Sequence, residues 1–526
     1  MNEKNNKFVQ AMEKEVAWKE TENGQTALNT TFDACLDLFS TIGALRKRTD
    51  GDIEAKVGAA YAEDKLVCMK IVFYARDIEQ GLGERRVFRV ALKYLAHRHP
   101  RDVVVNIPNI VKYGRFDDLY ELVGTPVEKE AFTFMKLAFE EDCKNFKEKK
   151  PLSLAAKWLK SINTSSKESR KLGQLTAKYF GLTERDYRIA LSTLRNALKI
   201  VEKDMSQNEW GAIDFNKVPG GAMKKYYKAF GVHEPERFKE YVDALHSGKK
   251  IVVNGKEVEA KINTKKLYPY EILEEYAKQN GNRGWYGGGF SLGHYKYNPT
   301  IEAMWNGLKD WLEDASENTI VVADTSGSMS GRPMATSVGL GIYFAQHNKG
   351  AFHNKFMTFS SRPSWIQLSE GTALCDQIAK VPDICDNTNL EAAFDLILRT
   401  AIQNNLSQND MPKNLVIITD MEFDSCVIDN ACKGGWGYGS TTKMTFYDAM
   451  KAKYEAHGYK LPNITFWNVD ARQDTFHTTK NQPHVRMVSG QATSVFKSLI
   501  DGKTHTPYEF MLETINVARY DSVLVE

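Results

Sequence analysis

The residues of this chain best suited to chemistry lie in the run Asp324-Thr-Ser326-Gly-Ser328. One carboxylate and two hydroxyls at alternate positions of a short loop can converge on a point, and Gly327 lets that loop turn tightly. Hard oxygen donors of this kind suit Mg2+ or Mn2+, which favour near-octahedral oxygen coordination. Two more donors come from elsewhere in the chain. Asp420 follows NLVIIT (414–419), and Thr388 lies in DNTNLEAAF, ahead of a helix predicted to start near Leu390. Three loops therefore supply five oxygens: Asp324, Ser326, Ser328, Thr388 and Asp420. A metal-free cluster of Ser and Asp side chains capping helices would use the same residue types.

The elements that must position these donors are legible in the hydrophobic pattern. From about residue 301, TIVVA (319–323), NKFMTF (354–359), NLVIIT (414–419) and NITFWNV (463–469) alternate with helical stretches around 335–346, 390–404 and 445–456. Continuous apolar strands alternating with helices predict a mostly parallel sheet covered on both faces. Ligands of such sheets sit in loops at the carboxyl ends of the strands, where Asp324 and Asp420 both fall. This part of the chain resembles the von Willebrand factor A domain. The metal-ion-dependent adhesion site of that family uses a D-x-S-x-S loop, a Thr loop and an Asp after a strand, in this order. The resemblance implies a doubly wound α/β fold and a Mg2+ or Mn2+ cofactor. It implies direct metal contact by Ser326 and Ser328, direct or water-mediated contact by Thr388, and contact often through water for Asp324 and Asp420. A coordination position left vacant would take an acidic residue of a protein partner.

Residues 28–280 read as helix after helix. Phe32, Leu36, Leu38, Phe39, Ile42 and Leu45 recur at helical spacing, as do Val87, Val90, Ala91, Tyr94 and Leu95. Further helices are predicted over 152–161, 167–180, 186–204 and 235–247. Breaks fall at Gly81-Leu-Gly83, Gly124-Thr-Pro126, Gly181 and Pro219-Gly-Gly221. IVVNGKEVEAK (251–261) has a hairpin pattern turning at Asn254-Gly255. A series of irregular helical hairpins without a strict period is how an α-solenoid looks in one sequence. The Gly- and aromatic-rich run 281–299 breaks the pattern and reads as a linker or docking segment. The expected organisation is an N-terminal segment (1–27), a helical-repeat domain (28–280), a linker (281–300) and the α/β domain (301–526).

Charge divides the chain. Its net +3 is the sum of +10 over 1–300 and −7 over 301–526, with a local +8 over 151–230. A basic half joined to an acidic half suits contact with a polyanion, although solvated helix faces would give the same count. The segments YARDIEQGLGERRVFRVALKYL, Tyr113-Gly-Arg115-Phe116-Asp117-Asp118-Leu119 and KWLKSINTSSKESRKL (157–172) resemble the TROVE module of the Ro autoantigen ribonucleoproteins. They resemble still more closely an uncharacterised family related to it. In Ro-type proteins a ring of HEAT-like helical repeats is closed by a von Willebrand A domain, the same domain order as here. The resemblance implies a repeat ring or solenoid that binds small noncoding or single-stranded RNA. Phosphate contacts would fall to Arg85, Arg86, Arg89, Lys112, Arg115, Lys157, Lys160, Lys167, Arg170 and Lys171. Local pairing competes at some positions, Arg76 with Asp77 or Glu79 and Arg115 with Asp117 or Asp118. If RNA plays no part, the same chain reads as a metal-dependent adaptor between proteins or as a component of an assembly.

Other classes of function find less support. The 526 residues exceed one ordinary core, so two or more domains are expected. No apolar run approaches the roughly 18 residues needed to span a bilayer, and the polar start MNEKNNKFVQ lacks a secretory signal, so a cytoplasmic, membrane-free protein is expected. Seven scattered cysteines, Cys35, Cys68, Cys143, Cys375, Cys385, Cys426 and Cys432, read as idle thiols rather than a disulfide framework. His97, His99, His233, His246 and His294 have no evident nucleophile partner, and no G-x-x-x-x-G-K-[ST] loop occurs. A binding protein is expected rather than an enzyme.

Overall fold

The computed structural model describes residues 12–13, 15–253, 255–279, 289–313, 318–359, 362–383, 388–425, 444–499 and 505–526. Cys385, Cys426, Cys432 and the Gly-rich part of the expected linker lie outside the described residues. Cys35, Cys68, Cys143 and Cys375 are free thiols. Among the described residues no helix is long and apolar enough to cross a membrane.

Ten strands are found among the described residues: β1 (Trp18–Glu20), β2 (Thr26–Leu28), β3 (Lys250–Val253), β4 (Lys256–Glu259), β5 (Thr319–Asp324), β6 (Lys355–Phe359), β7 (Ser364–Gln367), β8 (Asn414–Thr419), β9 (Asn463–Asn468) and β10 (Val485–Ser489). The last six form one mixed sheet in the order β10-β9-β8-β5-β6-β7. All its pairings are parallel except β6 with β7. Val321, Val322, Ala323, Leu415, Val416, Ile417 and Ile418 are buried. Runs buried on both faces are what a covered parallel sheet requires. The chain leaves β5 to build β6 and β7 on one side, then returns to build β8, β9 and β10 on the other. The order therefore reverses between β5 and β8, which is where an open α/β sheet leaves a crevice at its carboxyl edge.

The chain divides into two compact units. One comprises residues 1–68, 268–305 and 309–516; the other comprises 69–267, 306–308 and 517–526. These limits differ from the expected domain boundaries. Residues 28–68 belong with the sheet because Gly43 N donates to Ser489 Oγ, Ala471 N donates to Ala44 O, and Lys47 pairs with Asp470 at 2.6 Å. Gly43 permits this approach, since a Cβ there would stand 2.7 Å from Gly490. The β1–β2 ribbon also joins this unit, through backbone pairing of Leu28 with Phe476.

The second unit is helical apart from the β3–β4 hairpin. Helix 86–98 buries Val87, Phe88, Ala91, Leu92, Leu95 and Ala96, one stripe at helical spacing. Helix 128–147 packs its aromatics on helix 167–180, with Phe132 on Tyr179 at 4.3 Å and Phe139 on Phe180 at 5.1 Å between ring centroids, and on helix 184–197, with Phe139 on Tyr187 at 6.0 Å. Ser166 caps helix 167–180, left-handed Gly181 ends it, and Thr183 caps helix 184–197. The helix expected over 152–161 shrinks to Ala155–Trp158, and that expected over 186–204 breaks near left-handed Lys199. The last ten residues return to this unit. Arg519 grips Asp77, and Asn106, Asn109 and Asp102 hydrogen-bond the backbone of Leu524, Ser522 and Glu526.

Candidate metal centre

Asp324 ends β5 fully buried, and both its carboxylate oxygens are engaged. Ser326 N donates to Oδ1 at 2.9 Å, and Thr419 Oγ1 donates to Oδ2 at 2.7 Å. The parallel register sets Ala323 beside Ile418, so the chain reaches Asp420 just past the end of the neighbouring strand. Burial, and after it the negative charge of Asp420, pushes the Asp324 carboxyl up to about 7. Two neighbouring buried carboxylates favour positive charge beside them.

The hydroxyls lie beside them. Ser326 Oγ and Ser328 Oγ are 3.1 Å apart. Neighbouring ligands of an octahedral ion bound at about 2.0–2.1 Å stand about 3 Å apart, so the two serines have the spacing of one edge of a Mg2+ or Mn2+ shell. Thr388 is buried, its carbonyl accepting from Asp424 N at 3.0 Å, which ties its loop to the one carrying Asp420. Asn389 caps helix 390–403. Among the described residues no group of three or more His, Cys, Asp or Glu side chains is placed to hold a metal. The donor set here contains two carboxylates and depends on hydroxyls for the rest.

Several residues at this centre carried no signal in the sequence pattern. Arg472 Nη2 contacts Asp420 Oδ2 at 2.5 Å, and its Nη1 lies 3.4 Å from Glu22. Asn23 Nδ2 donates to Glu422 O at 2.7 Å and approaches Thr388 Oγ1 at 3.4 Å. Glu22 N donates to Glu422 Oε2 at 2.8 Å. The turn between β1 and β2 therefore lies against the loop of Asp420, and Arg472 supplies a positive charge where a metal would supply another. Only Glu422, two residues after Asp420, was close enough in sequence to be suspected.

The expected RNA contacts separate into two groups. Arg89 is committed to Asp117, Asp118 and Glu121 at 2.9, 2.7 and 3.2 Å. Lys112 donates to Ser522 Oγ at 2.8 Å, and Arg170 donates to Thr164 O at 2.8 Å. Arg76 pairs with buried Asp118 rather than with Asp77 or Glu79, because Arg519 occupies Asp77. Arg85, Arg86, Lys167 and Lys171 are exposed. Arg115 and Lys157 both lie over Trp158, at 4.5 and 5.5 Å from its ring centroid, and Lys160 lies 5.5 Å from that of Tyr120.

Fold and site together define a two-unit protein, one unit helical and the other a mixed α/β sheet with an oxygen-rich crevice at its switch point. Residues 318–519 match a family described as domain of unknown function DUF7788. Residues 21–151 and 155–286, together half of the chain, match domain of unknown function DUF2828, and the chain belongs to that family. A relative, the uncharacterized protein L728 of Acanthamoeba polyphaga mimivirus, is 28% identical over 94% of this chain and 86% of its own length.

Proposed function

We propose that this protein is a divalent-metal-dependent binding protein, not an enzyme, whose sheet unit is a von Willebrand factor A-type domain. Ser326, Ser328 and Thr388 hold Mg2+ or Mn2+, with Asp324 and Asp420 acting directly or through water. The observation that carries this reading is the pair of serine hydroxyls 3.1 Å apart beside the buried Asp324 and Asp420. The bound ion would supply a docking point for a carboxylate of a protein partner, while Thr419 and the Ser326 amide fix the Asp324 carboxylate. Calorimetric titration of the full chain with MgCl2 and MnCl2 tests this. One ion per chain is expected for the wild type and none for Asp324→Ala; equal affinity in the two overturns the assignment.

A second reading concerns the helical unit, which by its likeness to Ro-type proteins would be a HEAT-like repeat ring or solenoid binding small noncoding or single-stranded RNA. The observation favouring it is the pair of cations, Arg115 and Lys157, on the single indole of Trp158. Basic side chains interleaved with aromatic faces are how single strands are held without sequence preference. Filter binding of a structured RNA with a free 3′ tail, at low salt and across a salt series, is expected to give retention that falls steeply with salt. No retention at low salt returns the protein to the adaptor role alone.

A further inference from the structure

Arg115 is half-buried, yet its guanidinium makes no hydrogen bond or ion pair with any described residue; its contact is the face of Trp158. Its acidic neighbours pair with other arginines, although Asp117 Oδ1 has no hydrogen-bond partner among the described residues. Asp118 bonds Arg76 and Arg89, and Asp117 bonds Arg89. Burial lowers the Arg115 pKa, and the next largest influences, Arg85 and Arg76, lower it further, outweighing Asp117 and Asp118. A guanidinium stays charged at any ordinary pH. A desolvated charge that is retained without a counter-charge is costly, and an oxyanion removes that cost.

The surroundings are built to hold this arrangement. Lys157-Trp158-Leu159-Lys160 runs out of a one-turn helix, and Arg195 spends three nitrogens on it, donating to Ala156 O, Leu159 O and Ser161 Oγ at 2.8, 2.7 and 2.6 Å. Tyr120 OH accepts from Lys160 N at 3.0 Å, and Tyr187 OH donates to Lys160 O at 2.9 Å. A loop fixed by one half-buried arginine and two buried tyrosines presents Lys157 and Trp158 in one geometry, which is the preorganisation a binding site needs. Exposed Arg85 adds a third cation whose side chain has no partner among the described residues.

Of the neighbouring charges that act on Arg115, that of Arg85 is the strongest. We propose that Arg115 and Lys157, both over Trp158, form a phosphate-binding subsite together with Arg85. It rests on the RNA reading only for the source of the phosphate, a single-stranded backbone as opposed to a small phosphorylated molecule. Arg115 and Arg85 donate to the phosphate oxygens, Lys157 adds charge, and Trp158 keeps the guanidinium oriented and shielded from water.

The test uses the full chain with two probes, inorganic pyrophosphate by calorimetry and a short oligouridylate by filter binding, each at low salt and in a salt series. Against wild type stand Arg85→Gln/Arg115→Gln/Lys157→Gln, the milder Arg85→Gln/Lys157→Gln that keeps the half-buried arginine, and a control, Lys167→Gln/Lys171→Gln. The triple variant is expected to lose at least tenfold in affinity for both probes. Its log–log salt slope for oligouridylate should shrink by about 2, since each lost contact removes about 0.7. The double variant should lose an intermediate amount, and the control should lose less than either. Pyrophosphate bound through these residues without oligouridylate binding upholds the subsite and assigns it to a small phosphorylated ligand. Oligouridylate binding that survives the double and triple changes overturns the subsite while leaving the RNA reading intact. No binding of either probe at low salt overturns both.

Discussion

His477 lies beneath the loop that carries Asp420, its ring 4.4 Å from that of Phe423 and its Nε2 donating to Met421 O at 2.9 Å. Burial pushes its pKa down from 6.5 to about 4. Its folded pKa lies below its unfolded value, so the unfolded state binds the extra proton between these two pH values. Stability therefore falls as pH drops from about 6.5 towards 4, by at most about 1.4 kcal/mol per pH unit from this group. Urea unfolding at pH 6.5, 5.5 and 4.5 should show this loss, and His477→Gln should flatten it by one proton's slope. An identical slope in the variant would assign the acid sensitivity to other groups. Arg472 permits a sharper test. Its guanidinium competes for Asp420 Oδ2, so Arg472→Gln should tighten Mg2+ binding severalfold in the calorimeter. Weaker binding would mean that the arginine orients the carboxylate for the metal instead of opposing it.

At the scale of elements, close approach decides which residues can form a site. Helix 167–180 carries Gly173 against the Trp158 loop, and a Cβ there would stand 2.8 Å from Ser161 C and 3.0 Å from Lys160 O. Helix propensity favours Ala over Gly by about 1 kcal/mol. The clash is with backbone, however, and overpacking of this kind costs about 1–3 kcal/mol. Gly173→Ala should therefore lower the thermal midpoint and weaken pyrophosphate binding, because the loop bearing Lys157 must move. A raised midpoint with unchanged binding would show that the loop yields freely. The same interplay explains the short helix at Ala155–Trp158. Arg195 and Tyr187 satisfy the Ala156, Leu159 and Lys160 carbonyls that a longer helix would have used.

At the scale of the whole molecule, neither compact unit is a continuous stretch of chain. A fragment 1–300 lacks 517–526, leaving fully buried Asp77 without Arg519 and Asn106 and Asn109 without their backbone partners. Removing one partner of a buried ion pair costs on the order of 3–5 kcal/mol. A fragment 301–526 lacks the β1–β2 ribbon and residues 34–68, which cover the sheet unit at Phe476 and Ser489. Each fragment alone should unfold without a cooperative transition by circular dichroism. The full chain bearing Arg519→Ala should melt earlier than wild type, and proteolysis should open its helical unit first. A cooperative transition in fragment 301–526 would show that residues 1–68 are dispensable to the sheet.

The sequence by itself determined the strands β5, β6, β8 and β9, because runs such as TIVVA and NLVIIT are apolar throughout, and it determined the helices whose caps are local, such as Ser166 to Gly181. Asp324, Ser326, Ser328 and Asp420 were legible for the same reason: a loop at a strand's carboxyl end lies beside its strand in sequence and in space. Tertiary structure decided everything that depends on residues remote in the chain. The turn of β1 and β2 reaches Thr388 and Glu422 across some 365 and 399 positions, and no periodicity encodes that. β7 (SWIQ) and β10 (VRMVS) are edge strands that mix polar with apolar residues and so present no continuous apolar run. Arg89, Arg115 and Lys112 look alike as basic residues in a basic half. Only packing shows that Arg89 is neutralised by three carboxylates, that Lys112 holds the C-terminal residues, and that Arg115 keeps its charge with no partner but an indole.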